Sequence, residues 1–283
     1  MRLLRDLWRI CWSDKPALAG GVVILIYLVV AVVGPIVTHV GYQQNSSLAY
    51  LPPSRRYPLG TDFTGNSVLS EVIVGTRPIM EVGITAAVIV VVVGVTVGLV
   101  AGYLGGAVDQ AIMRVTDVFL TLPGLPLVIV IASIARTTSP FALAAILSIS
   151  GWAGLSRAVR SQALSLRTSD FIDAARVQGL PLRNIIARQL LPNIGPYVAI
   201  HFLLAVTDAI YAEVGLYLLG VAPISGTNWG IMINLALGQG ALYTSQSAFY
   251  LFSPMLAIVF LQVALVYFSR AMDRLFNPRL RVQ

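Results

Sequence analysis

The sequence predicts an all-α membrane protein with six transmembrane helices, and three observations carry that prediction. Of 283 residues, 57% are hydrophobic and 11% are charged, with a mean hydropathy of +0.82, a composition that excludes a soluble globular chain. Six apolar intervals approach the roughly 20 residues that an α-helix needs to cross a hydrocarbon core. The basic residues fall very unevenly among the loops between those intervals.

The first interval, Ala17 to Val37, is longer than the apolar core of a signal peptide, and no A-x-A site follows it. It reads as a retained helix preceded by a basic segment, residues 1–16. The second, Val82 to Gly102, spaces Gly94, Gly98 and Gly102 four apart, so small residues stack on one face and a neighbouring helix can come close. That seam serves either static packing or sliding. In the third, Val118 to Ala135, Pro123, Gly124 and Pro126 interrupt the backbone ladder, and the freed carbonyls need protein or cavity water. The fourth runs from Pro140 to Ala158 and the sixth from about Leu251 to Ser269.

The fifth interval, about Pro196 to Gly220, carries Asp208 and Glu213. A carboxylate at mid-span costs about 2.5–3.5 kcal/mol on insertion scales, so each should face the bundle interior, a water-filled path or a basic partner. They are candidates for a gate or a translocation-path contact; a buried helix–helix hydrogen bond is the alternative. A proton relay would need further titratable groups, which the second, third and sixth intervals do not supply.

Between the fourth and fifth intervals lies DFIDAARVQGLPLRNIIARQLLPN, Asp170 to Asn193. Asp170 suits a helix cap, and Asp173 falls in the first turn, where the helix dipole favours a carboxylate. Gly179 supplies a left-handed residue past the helix end and Pro181 forbids continuation, which limits the helix to about eight or nine residues. Phe171, Ala174, Ala175 and Gln178 share one face. A second stretch, Leu182 to Leu191, places Leu182, Ile185, Ile186 and Leu190 together and is expected to stop before Pro192, with Arg176, Arg183 and Arg188 off these faces. Such a hairpin is either a handle for a partner protein or an amphipathic loop at the headgroups.

With the N-terminus inside, fifteen arginines and lysines fall inside and four (Arg55, Arg56, Arg77 and Arg136) outside. Both termini and the hairpin are then cytoplasmic. The same asymmetry explains the net charge of +7, since no nucleic-acid-binding motif accompanies it. Cys11 is the only cysteine, and His39 and His201 are too few for a metal centre. There is no GxxxxGK[ST] and no nucleophile elbow, so the chain is read as non-catalytic, with energy supplied by a partner. The outer loop from about Val221 to Tyr250 carries Trp229, Asn234, Gln239, Tyr243, Gln246, Phe249 and Tyr250, which suits neutral ligands or an interfacial aromatic belt.

The set Asp173, Ala174, Ala175, Gly179, Leu191 and Pro192 resembles the cytoplasmic "EAA" loop of ABC importer permeases. Four further segments resemble the oligopeptide, dipeptide and nickel branch, and within it the C-type subunit. They are PLGTDFTGNSVLS (58–70), AGYLGGAVDQAIMRVTDVFLTLP (101–123), GWAGLSRAVRSQALSLR (151–167) and DRLFNPRLR (273–281). The resemblance runs from about residue 58 to the C-terminus. Glu213 matches an AEAxLSFLG segment of the family, and Asp208 does not. The chain departs from the branch with GVAPISGTNWG in place of a Pro-rich GLGxxPPxPSWG, Asp173 for Glu and Gln189 for His.

The resemblance implies a type I importer permease fold over residues 17–283, with a coupling loop at about 160–195 in a multi-pass cell-membrane protein. Phe171, Asp173, Ala174, Ala175, Gln178, Gly179 and Leu180 would contact an ATPase. The implied partners are a second homologous permease, two ATP-binding subunits that hold ATP and Mg, and an extracytoplasmic substrate-binding protein; no cofactor is implied for this chain. Oligopeptides or dipeptides, oligosaccharides and nickel chelates are the implied substrates, in that order. A gradient-driven secondary transporter and a membrane scaffold are the readings from other classes, the former disfavoured by the lack of convincing internal repeats.

Overall fold

Valine-rich runs such as VIVVVVGVTVGLV would favour strands in water, but in hydrocarbon each backbone N–H and C=O has to be satisfied within its own segment, which selects helix. A computed structural model, which describes residues 15–38, 40–41, 46–243 and 247–276, follows that rule, and no strand occurs among the described residues. Cys11, His39, Gln246, the arginines at 2, 5, 9, 279 and 281, most of the N-terminal segment and the end of the DRLFNPRLR tail lie outside the described residues.

The helices are α1 (Lys15–Val37), α2 (Val68–Leu104), α3 (Gly106–Thr121), α4 (Gly124–Ala135), α5 (Pro140–Arg167), α6 (Asp170–Val177), α7 (Leu182–Ile185), α8 (Leu191–Leu218), α9 (Trp229–Gly238) and α10 (Ala248–Phe276). Among the described residues five helical runs are long and apolar enough to cross a membrane, and six if α3 and α4 count as one bent span.

Three expected spans change shape. The third is broken, because Val118 to Thr121 finish α3 whereas Gly124 starts α4, and the two axes meet at 82°. Leu122 and Pro123 between them are extended, as the residue before a proline tends to be. The second begins fourteen residues early, at Val68, and its 37 residues reach about 55 Å. Glu71, Arg77 and Glu81 hide this extension from a search for charge-free runs, and Pro78 sits inside it. The turn leading into α2 is built by buried Asp62, which accepts from the backbone N–H of Thr64 and Asn66 at 2.9 and 2.7 Å, and Ser67 then caps the helix.

The fifth span does not start at Pro196. Helix runs from Leu182 to Leu218, through Pro192 and Pro196. A π-helical turn over Ile186–Leu190 joins the segments, with the Leu191 N–H reaching the Ile186 carbonyl five residues back, and this wider turn leads into Pro192 without a break, while Pro196 sits inside the α-helix that follows. The Asn193 side-chain amide donates to the Gln189 carbonyl at 2.7 Å.

Around α2 pack α5, α8 and α1, and α10 closes against α1 and α8. The glycine seam is a packing device. A Cβ on Gly98 would stand 2.5 Å from the Ser156 carbonyl oxygen and 2.8 Å from Val159 Cβ, and one on Gly102 would stand 2.7 Å from Ala163 Cβ. Polar residues tie α3 under the end of α5. Arg160 holds Asp109 with two bonds of 2.5 and 2.6 Å, and Arg157 pairs with Asp117. Leu25, Val29, Val32 and Ile36 of α1 remain exposed, as expected of a face whose solvent is lipid.

Candidate functional site

The hairpin starts one residue earlier than predicted. Ser169 is the cap residue, with φ −85° and ψ 148°, and Asp170 is the first helical residue. Both Asp170 and Asp173 then lie in the first turn of α6, near its positive end. At the other end Gly179 has φ +70°. Its N–H donates to the Arg176 carbonyl at 2.9 Å, and the Leu180 N–H donates to the Ala175 carbonyl at 3.2 Å, which is the Schellman closure of a helix.

The two faces of α6 are sharply different. Ile172 and Ala175 are buried in a cluster with Leu99, Val159, Ile185 and Leu190, whereas Phe171, Asp173, Ala174, Gln178 and Gly179 are exposed and Leu180 is half-buried. Ala175 therefore leaves the expected partner face and belongs to the bundle. The helical angle explains the split, since Ala175 lies one turn from Ile172 and aligns with it at i, i+3. On the second stretch Ile185 and Leu190 are buried, Ile186 is half-buried and Leu182 is exposed. The stretch does not stop before Pro192; it continues into α8.

Arg176 fastens the hairpin to the long helix. Its guanidinium lies over the Tyr103 ring at 5.4 Å, its Nε donates to the Tyr103 hydroxyl at 3.5 Å, and it pairs with Asp173 at 2.9 Å. The hydrogen bond to the Tyr103 hydroxyl, with the charge of Asp173, holds the guanidinium above its ordinary range.

The two intramembrane carboxylates are not brought together. Glu213 is fully buried, and Asn228 donates to its Oε1 at 2.7 Å while Oε2 has no partner among the described residues. The Asn228 side-chain Oδ1 meanwhile accepts from the Gly230 N–H at 2.8 Å and caps α9. Glu213 thus makes a buried helix–loop bond. Asp208 is exposed instead, on the wall of a cavity of about 640 Å³ formed by α2, α4, α5 and α8, whose lining includes Val90, Leu125, Val128, Ser150, Gly154 and His201. His201 is engaged by Tyr197, with ring centroids 4.3 Å apart.

The aromatic loop divides as well. Trp229 and Tyr250 are buried, so they form neither a lipid-interface belt nor a ligand surface, and the Trp229 indole donates to the Val72 carbonyl at 2.9 Å. Tyr243 and Phe249 are exposed. The start of α4 meets protein only in part: a Cβ on Gly124 would stand 3.2 Å from Ser150 Cβ, but Gly124 and Leu125 also line the cavity and Pro123, Leu125 and Pro126 are exposed. Sequence reasoning missed Asn228, Tyr103 and the Asp109–Arg160 pair. The available signal was an asparagine one residue before a helix and two acids on α3 opposite two arginines on α5.

A multi-pass helical protein that walls a membrane cavity and projects a short hairpin, one face packed and one face free, has the form of a transporter's membrane component. Residues 94–282 match the family described as binding-protein-dependent transport system inner membrane component, and residues 2–53 match the N-terminal TM domain of oligopeptide transport permease C. The chain belongs to this family and is an ABC importer permease subunit of the inner membrane. The match at residues 2–53 extends the likeness beyond the residue-58 start read from the motifs.

Relatives include the dipeptide transport system permease protein DppC of Bacillus subtilis, 32% identical over 234 residues that cover 81% of this chain and 72% of that protein. The oligopeptide transport system permease protein OppC of the same organism is 28% identical over 222 residues, covering 78% and 72%. OppC of Haemophilus influenzae is 31% identical over 245 residues, covering 83% and 78%.

Proposed function

We propose that this subunit joins a second, homologous permease to enclose a path for oligopeptides or dipeptides, and that α6 receives the stroke of a cytoplasmic ATPase. The observation that carries the reading is the two-faced hairpin. Phe171, Asp173, Ala174, Gln178 and Gly179 are free for a partner while Ile172 and Ala175 bind the bundle, so a push on the outer face is delivered to α2, α5 and α8. Two ATP-binding subunits would hold ATP and Mg, one against each permease, and an extracytoplasmic binding protein would deliver substrate. This chain itself needs no cofactor in that scheme. Both termini and the hairpin lie in the cytoplasm, an orientation supported by the distribution of basic residues.

Peptides come first among substrates because the relatives carry dipeptide and oligopeptide transport names. Oligosaccharides and nickel chelates follow. The test is mild-detergent purification of the tagged chain from its native membrane, with mass spectrometry and an ATPase assay. Recovery of a second permease and ATP-binding subunits with Mg-dependent hydrolysis is expected. A lone or self-associated chain without ATPase, under conditions that preserve other complexes, would overturn the reading in favour of a gradient-driven transporter.

A further inference from the structure

Asp208 is an unusual group to leave open at membrane depth. It lies on α8 ten residues before Leu218, about 15 Å from that helix end. It is exposed, and no hydrogen bond or ion pair joins it to another described residue. The cavity it faces is otherwise apolar or small, and among the described residues its titratable lining groups are Asp208 and His201. His201 is two turns away on the same helix and is already packed on Tyr197.

A carboxyl group at membrane depth faces a water-filled path or meets a partner, and a cation is the partner that best stabilises its charge. The cavity, at about 640 Å³, falls in the range of about 300–1,000 Å³ common for small-molecule sites and is roomier than one intruding side chain requires. A Cβ on Gly154 or Gly215, both in the lining, would meet nothing within 4 Å, so the space reaches the backbone itself. A metal ion is a poor fit, since among the described residues no three His, Cys, Asp or Glu side chains stand together. A neutral sugar offers no counter-charge.

We infer that Asp208 forms a subsite for a primary ammonium group, the free amino terminus of a peptide passing through the cavity. The inference rests on the peptide-import reading and sharpens it, because it ranks amine-bearing substrates above oligosaccharides. A carboxylate framed by apolar walls attracts a cation more strongly than the same group in water, and it releases the cation once the path opens to solvent.

The test uses the assembled complex in proteoliposomes, with Cys11→Ser and Ser150→Cys placing this chain's single thiol in the cavity wall and labelling followed on this chain by mass spectrometry. The reaction rate with cationic 2-aminoethyl methanethiosulfonate is compared with that of neutral methyl methanethiosulfonate, before and after Asp208→Asn. In parallel, ATP-driven uptake of trialanine is compared with that of N-acetyl-trialanine, with Asp208→Glu as the charge-retaining variant. Asp208→Asn should lower the cationic-to-neutral rate ratio about ten-fold. It should also lower trialanine uptake about ten-fold relative to the acetylated peptide, and Asp208→Glu should keep both. An unchanged ratio overturns the subsite. A ratio that falls in the isolated chain, measured alongside, but not in the complex also overturns it, because Asp208 is then covered or neutralised by the second permease. A ratio that falls while the unmutated complex imports neither peptide supports the cation subsite and defeats the peptide-import reading.

Discussion

Replacing Gly179 by valine tests how much one backbone conformation contributes to the proposed coupling. The residue sits at φ +70°, and a Cβ built there meets nothing within 4 Å, so the substitution introduces no clash. The cost comes from the left-handed conformation alone, about 1–2 kcal/mol for an L-residue, with β-branched valine at the upper end. The chain can escape that cost by abandoning the Schellman closure. It would then lose the bonds from Gly179 to Arg176 and from Leu180 to Ala175, each contributing about 0.5–1.5 kcal/mol. The two routes cost about the same, so Gly179→Val leaves the end of α6 without a single preferred geometry. A shift of 1–2 kcal/mol changes the population of the closed hairpin about 5- to 30-fold. ATP hydrolysed per peptide imported, measured in proteoliposomes, should rise about ten-fold in Gly179→Val. Gly179→Asn, which tolerates the left-handed region, should stay near the unmutated value. The thermal unfolding temperature should fall by only a few degrees in Gly179→Val and by less in Gly179→Asn, because a Cβ there meets nothing in the bundle and the cost is confined to the hairpin end. Tight coupling in Gly179→Val, or equal loss in the asparagine and valine variants, would refute the reasoning.

Other perturbations test the scaffold. Gly98→Leu forces a side chain against the Ser156 carbonyl and Val159 and should cost about 1–3 kcal/mol by overpacking, read as a lowered Tm in detergent; Gly154→Ala, where a Cβ meets nothing, should not lower Tm. Asn228→Ala removes the α9 cap and the partner of buried Glu213 together and should destabilise by about 2 kcal/mol or more, whereas Glu213→Gln, which keeps size and one acceptor, should cost less. Asp109→Ala breaks a two-bond pair that is mostly buried and should lower Tm clearly, while Asp117→Ala removes an exposed partner of Arg157 and should shift stability by less than about 1 kcal/mol. Equal effects of the two aspartate substitutions would contradict the assignment of the α3–α5 tie to Asp109.

The parts of this fold that were legible beforehand depend on rules that act within a few residues. Gly179 and Pro181 end a helix wherever they stand, and the spacing of Gly94, Gly98 and Gly102 marks one helix face. Hydropathy located the spans but misplaced their ends, because helices continue beyond the apolar core. The start of α2 carries Glu71, Arg77 and Glu81, and a π turn leads into Pro192 at the start of α8. The break at Leu122 and Pro123 is signalled by the proline, but its 82° angle is set by packing between α3, α4 and α5. The site was half legible. Asp208 and Glu213 stand out in any apolar run, yet only three dimensions separate the one bonded to Asn228 from the one that lines the cavity. Ala175 was assigned to the wrong face because the pattern at i, i+3, i+4 leaves the neighbouring stripe through Ile172 equally acceptable.

The long helix α2 joins two very different anchorages. Near one end Tyr103 is clasped by Arg176 of the hairpin, and near the other the Val72 carbonyl is held by the buried Trp229 indole. Between them Pro78 removes one rung of the hydrogen-bond ladder, and a helix yields most easily where a rung is missing. From Ile79 to Tyr103 the shaft is roughly 36 Å long, so each degree of swing about that joint displaces the hairpin end by roughly 0.6 Å. α2 therefore ties the hairpin at one end to the buried Trp229 at the other, with the one rung that Pro78 removes lying between the two attachments.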